Sequence, residues 1–218
     1  MTAASTLLLL APAAYLIGSI PFGLIVGLAN GIDPRTAGSG NIGASNLGRL
    51  LGPKFFGIVY FLDMLKGLVP SLAAGFIVHF SIPDWQTCFL WILVCAAAML
   101  GHMFSIFLHF KGGKGVATST GVSLGIWPYL AIPALIAMTA WALIFKSTRY
   151  FSVASMSAVI IFNLAYILLA ACYAWPILGA QWPCLSATIT LGLAIFYRHR
   201  GNIARLRAGT EPKFGKTA

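Results

Sequence analysis

Phe55–Phe80 reads FFGIVYFLDMLKGLVPSLAAGFIVHF. A bilayer core about 30 Å thick takes roughly 20 apolar residues as helix. This run exceeds that length, with Asp63 and Lys66 as its only fixed charges. The rest of the chain has the same character: 218 residues, 59% hydrophobic and 8% charged, with mean hydropathy +0.89. Soluble domains carry about 25% charged residues. The composition excludes a soluble fold and predicts an all-α integral membrane protein.

Working outward from Phe55–Phe80, further apolar runs cover 7–28, 87–109, 116–126, 129–145, 151–171 and 183–197. With 55–80 they predict seven transmembrane helices in one transmembrane domain, residues 1–218. The fourth run is short, about 16 Å as helix at 1.5 Å per residue. The first has no Lys or Arg before its Leu7–Leu10 run, so it reads as a retained helix and not as a cleaved signal. Placing Ala29–Pro53 in the cytoplasm puts Arg35, Arg49, Lys54, Lys111, Lys114, Lys146, Arg149 and every cation from Arg198 onward on that side. The outer loops then hold no Lys or Arg. This distribution follows the positive-inside rule and supports the fourth span, because deleting it would move Lys146 and Arg149 outside.

The net charge of +10 reflects a shortage of acids, of which there are four: Asp33, Asp63, Asp84 and Glu211. In so apolar a chain the basic balance points to membrane lipids or a phosphorylated substrate, not nucleic acid. Cys88, Cys95, Cys172 and Cys184 form no C-x-x-C pair, and their spacing suggests neither a zinc site nor a disulfide framework. They read as packing residues.

Three polar segments gather on the basic side. The first is Gly38-Ser39-Gly40-Asn41-Ile42-Gly43-Ala44-Ser45-Asn46-Leu47-Gly48-Arg49. It contains G-x-G-x-x-G, but between membrane spans and not in a βαβ unit, so the dinucleotide reading is rejected. Its glycines permit positive φ and an anion-binding nest of amides. Ser39, Asn41 and Asn46 add donors, and Arg49 adds a planar fork suited to phosphate. An ordinary flexible loop remains open. The second is Lys111-Gly112-Gly113-Lys114-Gly115-Val116-Ala117-Thr118. It lacks the Walker order, yet it precedes an apolar run and so offers amides at a helix start; a topogenic basic loop is the alternative. The third is Arg198-His199-Arg200-Gly201-Asn202-Ile203-Ala204-Arg205, followed by Gly209, Glu211 and Lys213. As a helix it puts His199, Asn202 and Arg205 on roughly one face, with Glu211 available to pair with an arginine. A basic tail on anionic lipid would look similar.

Within spans, Asp63 and Lys66 lie one helical turn apart and can pair. Intramembrane ions mark functional sites by default; Lys66 suits a phosphate, whereas a self-neutralised structural pair also fits. His102, after Gly101, reads either as a substrate ligand or as a packing histidine.

Taken together, these residues resemble the bacterial membrane glycerol-3-phosphate acyltransferases that use acyl phosphate as donor. The resemblance runs from Gly18-Ser19-Ile20-Pro21-Phe22-Gly23 to about Lys213. It rests on Gly-Ser-Gly-Asn-x-Gly-Ala-x-Asn with Arg49, on Asp63-x-x-Lys66-Gly67, on Gly101-His102 through Lys111-Gly-Gly-Lys-Gly-Val-Ala-Thr, and on His199-Arg-x-Asn-Ile-x-Arg-Leu with Gly209-x-Glu211. Ser45 stands where the family usually has threonine.

The resemblance implies a multi-pass inner-membrane enzyme, with its active site, catalytic loops and C-terminus at the cytoplasmic face. Its reaction would be the first step of bacterial phospholipid synthesis. A fatty acyl group passes from acyl phosphate to the 1-hydroxyl of sn-glycerol 3-phosphate, giving lysophosphatidic acid and phosphate. An acyl-phosphate-forming enzyme is then a candidate partner. By analogy with the family, Ser39, Arg49, His199 and Asn202 are the catalytic residues. Gly40, Asn41, Asn46, Lys66, His102, Lys111, Gly112, Gly113, Lys114, Gly115 and Arg205 bind substrate, while Asp63 and Glu211 are structural. No cofactor and no metal ligand cluster is expected. The rival class is a transporter or channel for phosphate or an organic anion; the short, almost uncharged outer loops argue against it.

Overall fold

The computed structural model describes residues 2–215, and among them all regular structure is helical. The helices are α1 (Ala3–Ser19), α2 (Phe22–Ala29), α3 (Ala44–Leu51), α4 (Pro53–Ile77), α5 (Trp85–Met103), α6 (Val116–Gly125), α7 (Ala131–Thr148), α8 (Phe151–Cys172), α9 (Trp182–Arg198) and α10 (Arg200–Arg207). Five stretches among the described residues are long and apolar enough to cross a membrane: Ala3–Ala29, Pro53–Ile77, Trp85–Leu108, Ala131–Thr148 and Phe151–Cys172. The remaining two expected crossings are shorter. The α6 helix has 10 residues, about 15 Å or half the bilayer core, and α9 has 17.

Two compact units divide the chain. One comprises the described residues up to Ser81 together with Leu90–Ile126; the other comprises Ile82–Phe89 and the described residues from Trp127 onward.

In the first unit the expected span 7–28 is broken at Ile20-Pro21 into α1 and α2. Pro21 has no N–H and clashes with a continuing helix. Carbonyls released in this way must find donors, because lipid offers none. Buried side chains from elsewhere in the unit supply them: Ser105 Oγ, just past α5, donates to the Ser19 carbonyl at 2.6 Å and Lys66 Nζ on α4 to the Ile20 carbonyl at 2.9 Å. The short α6 lies along α4 with almost no side chain between the backbones. A Cβ on Gly67 would overlap the Thr118 carbonyl, and one on Gly121 the Met64 carbonyl. Small residues allow such close packing, which supplies the attraction between helices in lipid. Ser71 ties the contact, donating to the Val122 carbonyl at 2.9 Å while its own carbonyl accepts from Trp91 Nε1 at 3.0 Å.

The polar stretch 29–53 contains an unexpected helix, α3. Ala44, Leu47 and Leu51 face α4, where they pack with Val59, Phe55, Phe56 and Tyr60. Ser45 and Arg49 lie two residues from Leu47, about 200° around the helix, and so on the opposite face.

In the second unit α7 and α8 form a hairpin. It turns at Arg149, a left-handed residue (φ 63°) whose N–H bonds the Phe145 carbonyl. Trp141, Phe145 and Phe151 stack at the turn. Phe214 closes on Phe145 and Phe151, and its N–H bonds the Arg149 carbonyl at 2.9 Å, which folds the C-terminal segment back onto the hairpin.

Candidate active site

The first polar segment is a loop wound around one side chain. Asn46, wholly buried on α3, accepts the Ser39 N–H at 2.9 Å and donates to the carbonyls of Pro34 and Ala37, each at 3.1 Å. Gly38 (φ 60°) has to be glycine on two counts: its conformation, and the Asn46 Oδ1 that a Cβ would strike. Asn41 Oδ1 accepts the Gly43 N–H at 2.8 Å, and the Gly40 N–H bonds the Ala37 carbonyl. Several amides expected to form an anion nest are thus used inside the loop. What the loop presents outward is the exposed Ser39 and Gly40, together with half-buried Arg49 on the last turn of α3. Arg35 is engaged by Asp33 at 2.7 Å. The hydrogen bonds from Arg35 hold the Asp33 carboxyl below its ordinary range.

The second segment is fixed by the end of α5. The Gly112 N–H bonds the Met103 carbonyl and the Gly113 N–H the His102 carbonyl, both at 3.1 Å. A Cβ at either glycine would overlap residue 102: its carbonyl in the case of Gly112, its imidazole Nε2 in the case of Gly113. His102, 4% exposed, therefore lies flat against the lysine loop. Its Nδ1 is 3.8 Å from Asp63 Oδ1. That carboxylate accepts from Lys66 Nζ at 2.8 Å, and Lys66 also holds the α1–α2 break. Asp63, Lys66, His102, Gly112 and Gly113 form one connected cluster. Past it Gly115 (φ 91°) starts α6, with Lys114 half-buried and Lys111 exposed.

The third segment is α10 with the chain that follows. Glu211, its side chain 1% exposed, accepts from Asn202 Nδ2 at 2.6 Å and Ser152 Oγ at 2.8 Å through Oε1, and from Arg205 Nε at 2.7 Å through Oε2. Burial raises this carboxyl's pKa, but the hydrogen bonds from Asn202, Ser152 and Arg205 and the Arg205 charge outweigh it, leaving the group below its ordinary 4.5. His199, buried where α9 meets α10, has Nδ1 2.8 Å from the Ile195 carbonyl. A carbonyl only accepts, so Nδ1 carries a proton in this contact.

Sequence spacing does not identify Ser152, 59 residues from its partner Glu211, nor Ser105 and its bond to the Ser19 carbonyl. The available signal was a serine at the mouth of an apolar run. Among the described residues no group of His, Cys, Asp and Glu is arranged to hold a metal.

A family profile described as Glycerol-3-phosphate acyltransferase matches residues 8–209. The chain is 42% identical to the glycerol-3-phosphate acyltransferase of Aquifex aeolicus, covering 92% of this chain and 95% of that one. It is 44% identical to that of Solidesulfovibrio magneticus, covering 93% and 92%. Among solved structures it resembles PlsY (YgiH), an integral membrane glycerol 3-phosphate acyltransferase, in its glycerol 3-phosphate form. There the TM-score is 0.81 and the identity 40%, covering 96% of each chain. With the lysophosphatidic acid form the TM-score is 0.78.

Proposed function

The chain belongs to the glycerol-3-phosphate acyltransferase family, and we propose that it acylates the 1-hydroxyl of sn-glycerol 3-phosphate with acyl phosphate as donor. The likeness over nearly the whole chain to an enzyme solved with glycerol 3-phosphate carries this reading. It decides for transferase against transporter. In the reaction the hydroxyl oxygen attacks the acyl carbonyl carbon, the C–O bond to phosphate breaks, and lysophosphatidic acid and inorganic phosphate leave. The mixed anhydride already has a good leaving group, so binding and charge stabilisation suffice.

Arg49 lies on the face of α3 opposite the one packed on α4, and its proposed role is to stabilise charge on the acyl phosphate and the developing oxyanion. Ser39, exposed at the tip of a loop locked by Asn46, donates a hydrogen bond to the same group. A donor role suits it better than a nucleophile's, since no hydrogen bond to a base is seen at its hydroxyl among the described residues. Lys111 and Lys114 hold the phosphate of glycerol 3-phosphate. The glycines between them let the loop close on the end of α5, which fixes where the two lysines start. Asn202 and His199 orient substrate, with Arg205 beside them. Asn46, Lys66, His102, Asp63 and Glu211 act by holding these segments. The hydroxyl proton goes to a substrate phosphate oxygen, a group with a second pKa near 6. Kinetics of His199→Ala and His102→Ala test that route: near-full kcat in both folded variants supports it, and loss of kcat in either transfers the role to that histidine.

The proposed topology has seven crossings. The α6 helix, 10 residues long and packed on α4, would complete its crossing with the chain on either side of it. Arg35, Arg49, Lys111, Lys114, Lys146, Arg149 and the C-terminal cations then share the cytoplasmic face of a bacterial inner membrane. A supplier of acyl phosphate acts on that side. Turnover with acyl phosphate, set against none with an acyl thioester, tests the donor.

A further inference from the structure

Cys88 and Cys184 are 96 residues apart in sequence, and their sulfurs stand 3.1 Å apart. Cys88 lies in the first turn of α5 and Cys184 in the first turn of α9. Neither sulfur is in a disulfide, and the two residues are 0% and 1% exposed. About 1 Å more approach would make an S–S bond of ordinary length. Each helix start is independently fixed. Asp84 Oδ1 accepts the Thr87 N–H at 2.7 Å ahead of Cys88, and Pro183 occupies the opening turn of α9. Just outside the thiols the rings of Trp85 and Trp182 lie 6.1 Å apart, half exposed, as tryptophans do at a membrane–water boundary. The segments leading into these helices, 78–84 and 173–181, carry no Lys or Arg.

We propose that Cys88 and Cys184 are a disulfide-forming pair that locks the outer end of α5 to α9. The side of the membrane rests on the topology proposed above; the pairing rests on the sulfur contact alone. The outer compartment favours disulfides and the cytoplasm does not. In the reaction two S–H bonds are lost and one S–S bond forms. Both electrons and both protons pass to a disulfide-bearing oxidant, which leaves as its dithiol. Because both sulfurs are buried in the folded chain, the oxidant meets them before α5 and α9 close. Once formed, the bond is shielded from reductants in the native protein. Cys95, buried and bonded to Ser71 Oγ at 3.2 Å, and Cys172, exposed, take no part.

The test is thiol counting on the full chain, with cells quenched by an alkylating agent, the protein denatured, and thiols labelled before and after reduction. The expected result is two of the four cysteines labelled only after reduction. Cys88→Ser and Cys184→Ser should each expose the other thiol without reductant. Four thiols labelled at once in the wild type would overturn the proposal, as would a protected pair that survives Cys88→Ser. If either serine variant fails to fold, peptide mapping of the wild-type crosslink decides the pairing. Expression in cells lacking the dithiol oxidant of the outer compartment separates the two premises. Free thiols there support the outer location, whereas an undiminished bond overturns that location and the topology while leaving the pairing intact.

Discussion

Asn46 Oδ1 accepts the N–H of Ser39 at 2.9 Å, and the same buried amide donates to the Pro34 and Ala37 carbonyls. One side chain on a short helix thus sets the backbone that carries the exposed serine. Asn46→Ala leaves a backbone donor and two carbonyls without their partner. Each such loss costs about 1–3 kcal/mol, reduced where water reaches the loop. Thermal unfolding should show a loss of about 3 kcal/mol, and kcat at saturating substrate should fall at least tenfold. Asn46→Asp should be worse, since a carboxylate there faces two carbonyl oxygens.

Lys66 joins Asp63 to the carbonyl released at the α1–α2 break. Removing one partner of a buried pair costs about 3–5 kcal/mol because the other charge stays buried. Lys66→Met should therefore unfold at markedly lower temperature in detergent. Asp63→Asn combined with Lys66→Met should recover part of that loss, because no charge then stays buried. A double variant no more stable than Lys66→Met alone would show that the pair's charge is not what matters.

Glu211 gives stability a pH dependence with a definite sign. Its folded pKa lies below the ordinary 4.5, so its contribution is complete above about pH 4.5 and is lost as pH falls through the lower folded value. Glu211→Gln should be less stable than wild type near pH 7, because its amide meets the Arg205 donor where an oxygen belongs. The gap should narrow below about pH 4.5. Unfolding curves of both proteins from about pH 3 to pH 7 measure this; a gap independent of pH would contradict it.

Lys111→Ala and Lys114→Ala should act on substrate affinity. A charged hydrogen bond contributes about 1.5–3 kcal/mol, so the KM for glycerol 3-phosphate should rise by about 10- to 100-fold. The KM for acyl phosphate should move far less. Equal effects on both would mean that the lysine loop does not discriminate the two phosphates.

The membrane class, the Asp63–Lys66 pair and the α10 face of Asn202 and Arg205 were all legible in sequence, because each depends on local periodicity. The run 7–28 reads as one span, and its division at Pro21 into α1 and α2 appears only in the fold. The α3 helix was not legible: its apolar face of Ala44, Leu47 and Leu51 spans only eight residues inside a polar, glycine-rich stretch, too short a run to stand out before its packing on Val59 and Phe56 is seen. Neither was the use of Asn46, whose partners are the backbone of its own loop. Ser152 with Glu211, and Cys88 with Cys184, are neighbours made by tertiary packing, and no spacing rule connects them. The limit on α6 is also physical, since its short apolar run gains stability from contact with α4 and not from its own length.

The most direct measurement supplies acyl phosphate and glycerol 3-phosphate to the purified protein in detergent, without metal or thioester. It follows phosphate release and lysophosphatidic acid in wild type and Arg49→Ala. Turnover by the wild type that Arg49→Ala abolishes, with both proteins folded, is the predicted result. A folded, monodisperse wild type that binds glycerol 3-phosphate yet releases no phosphate would contradict it.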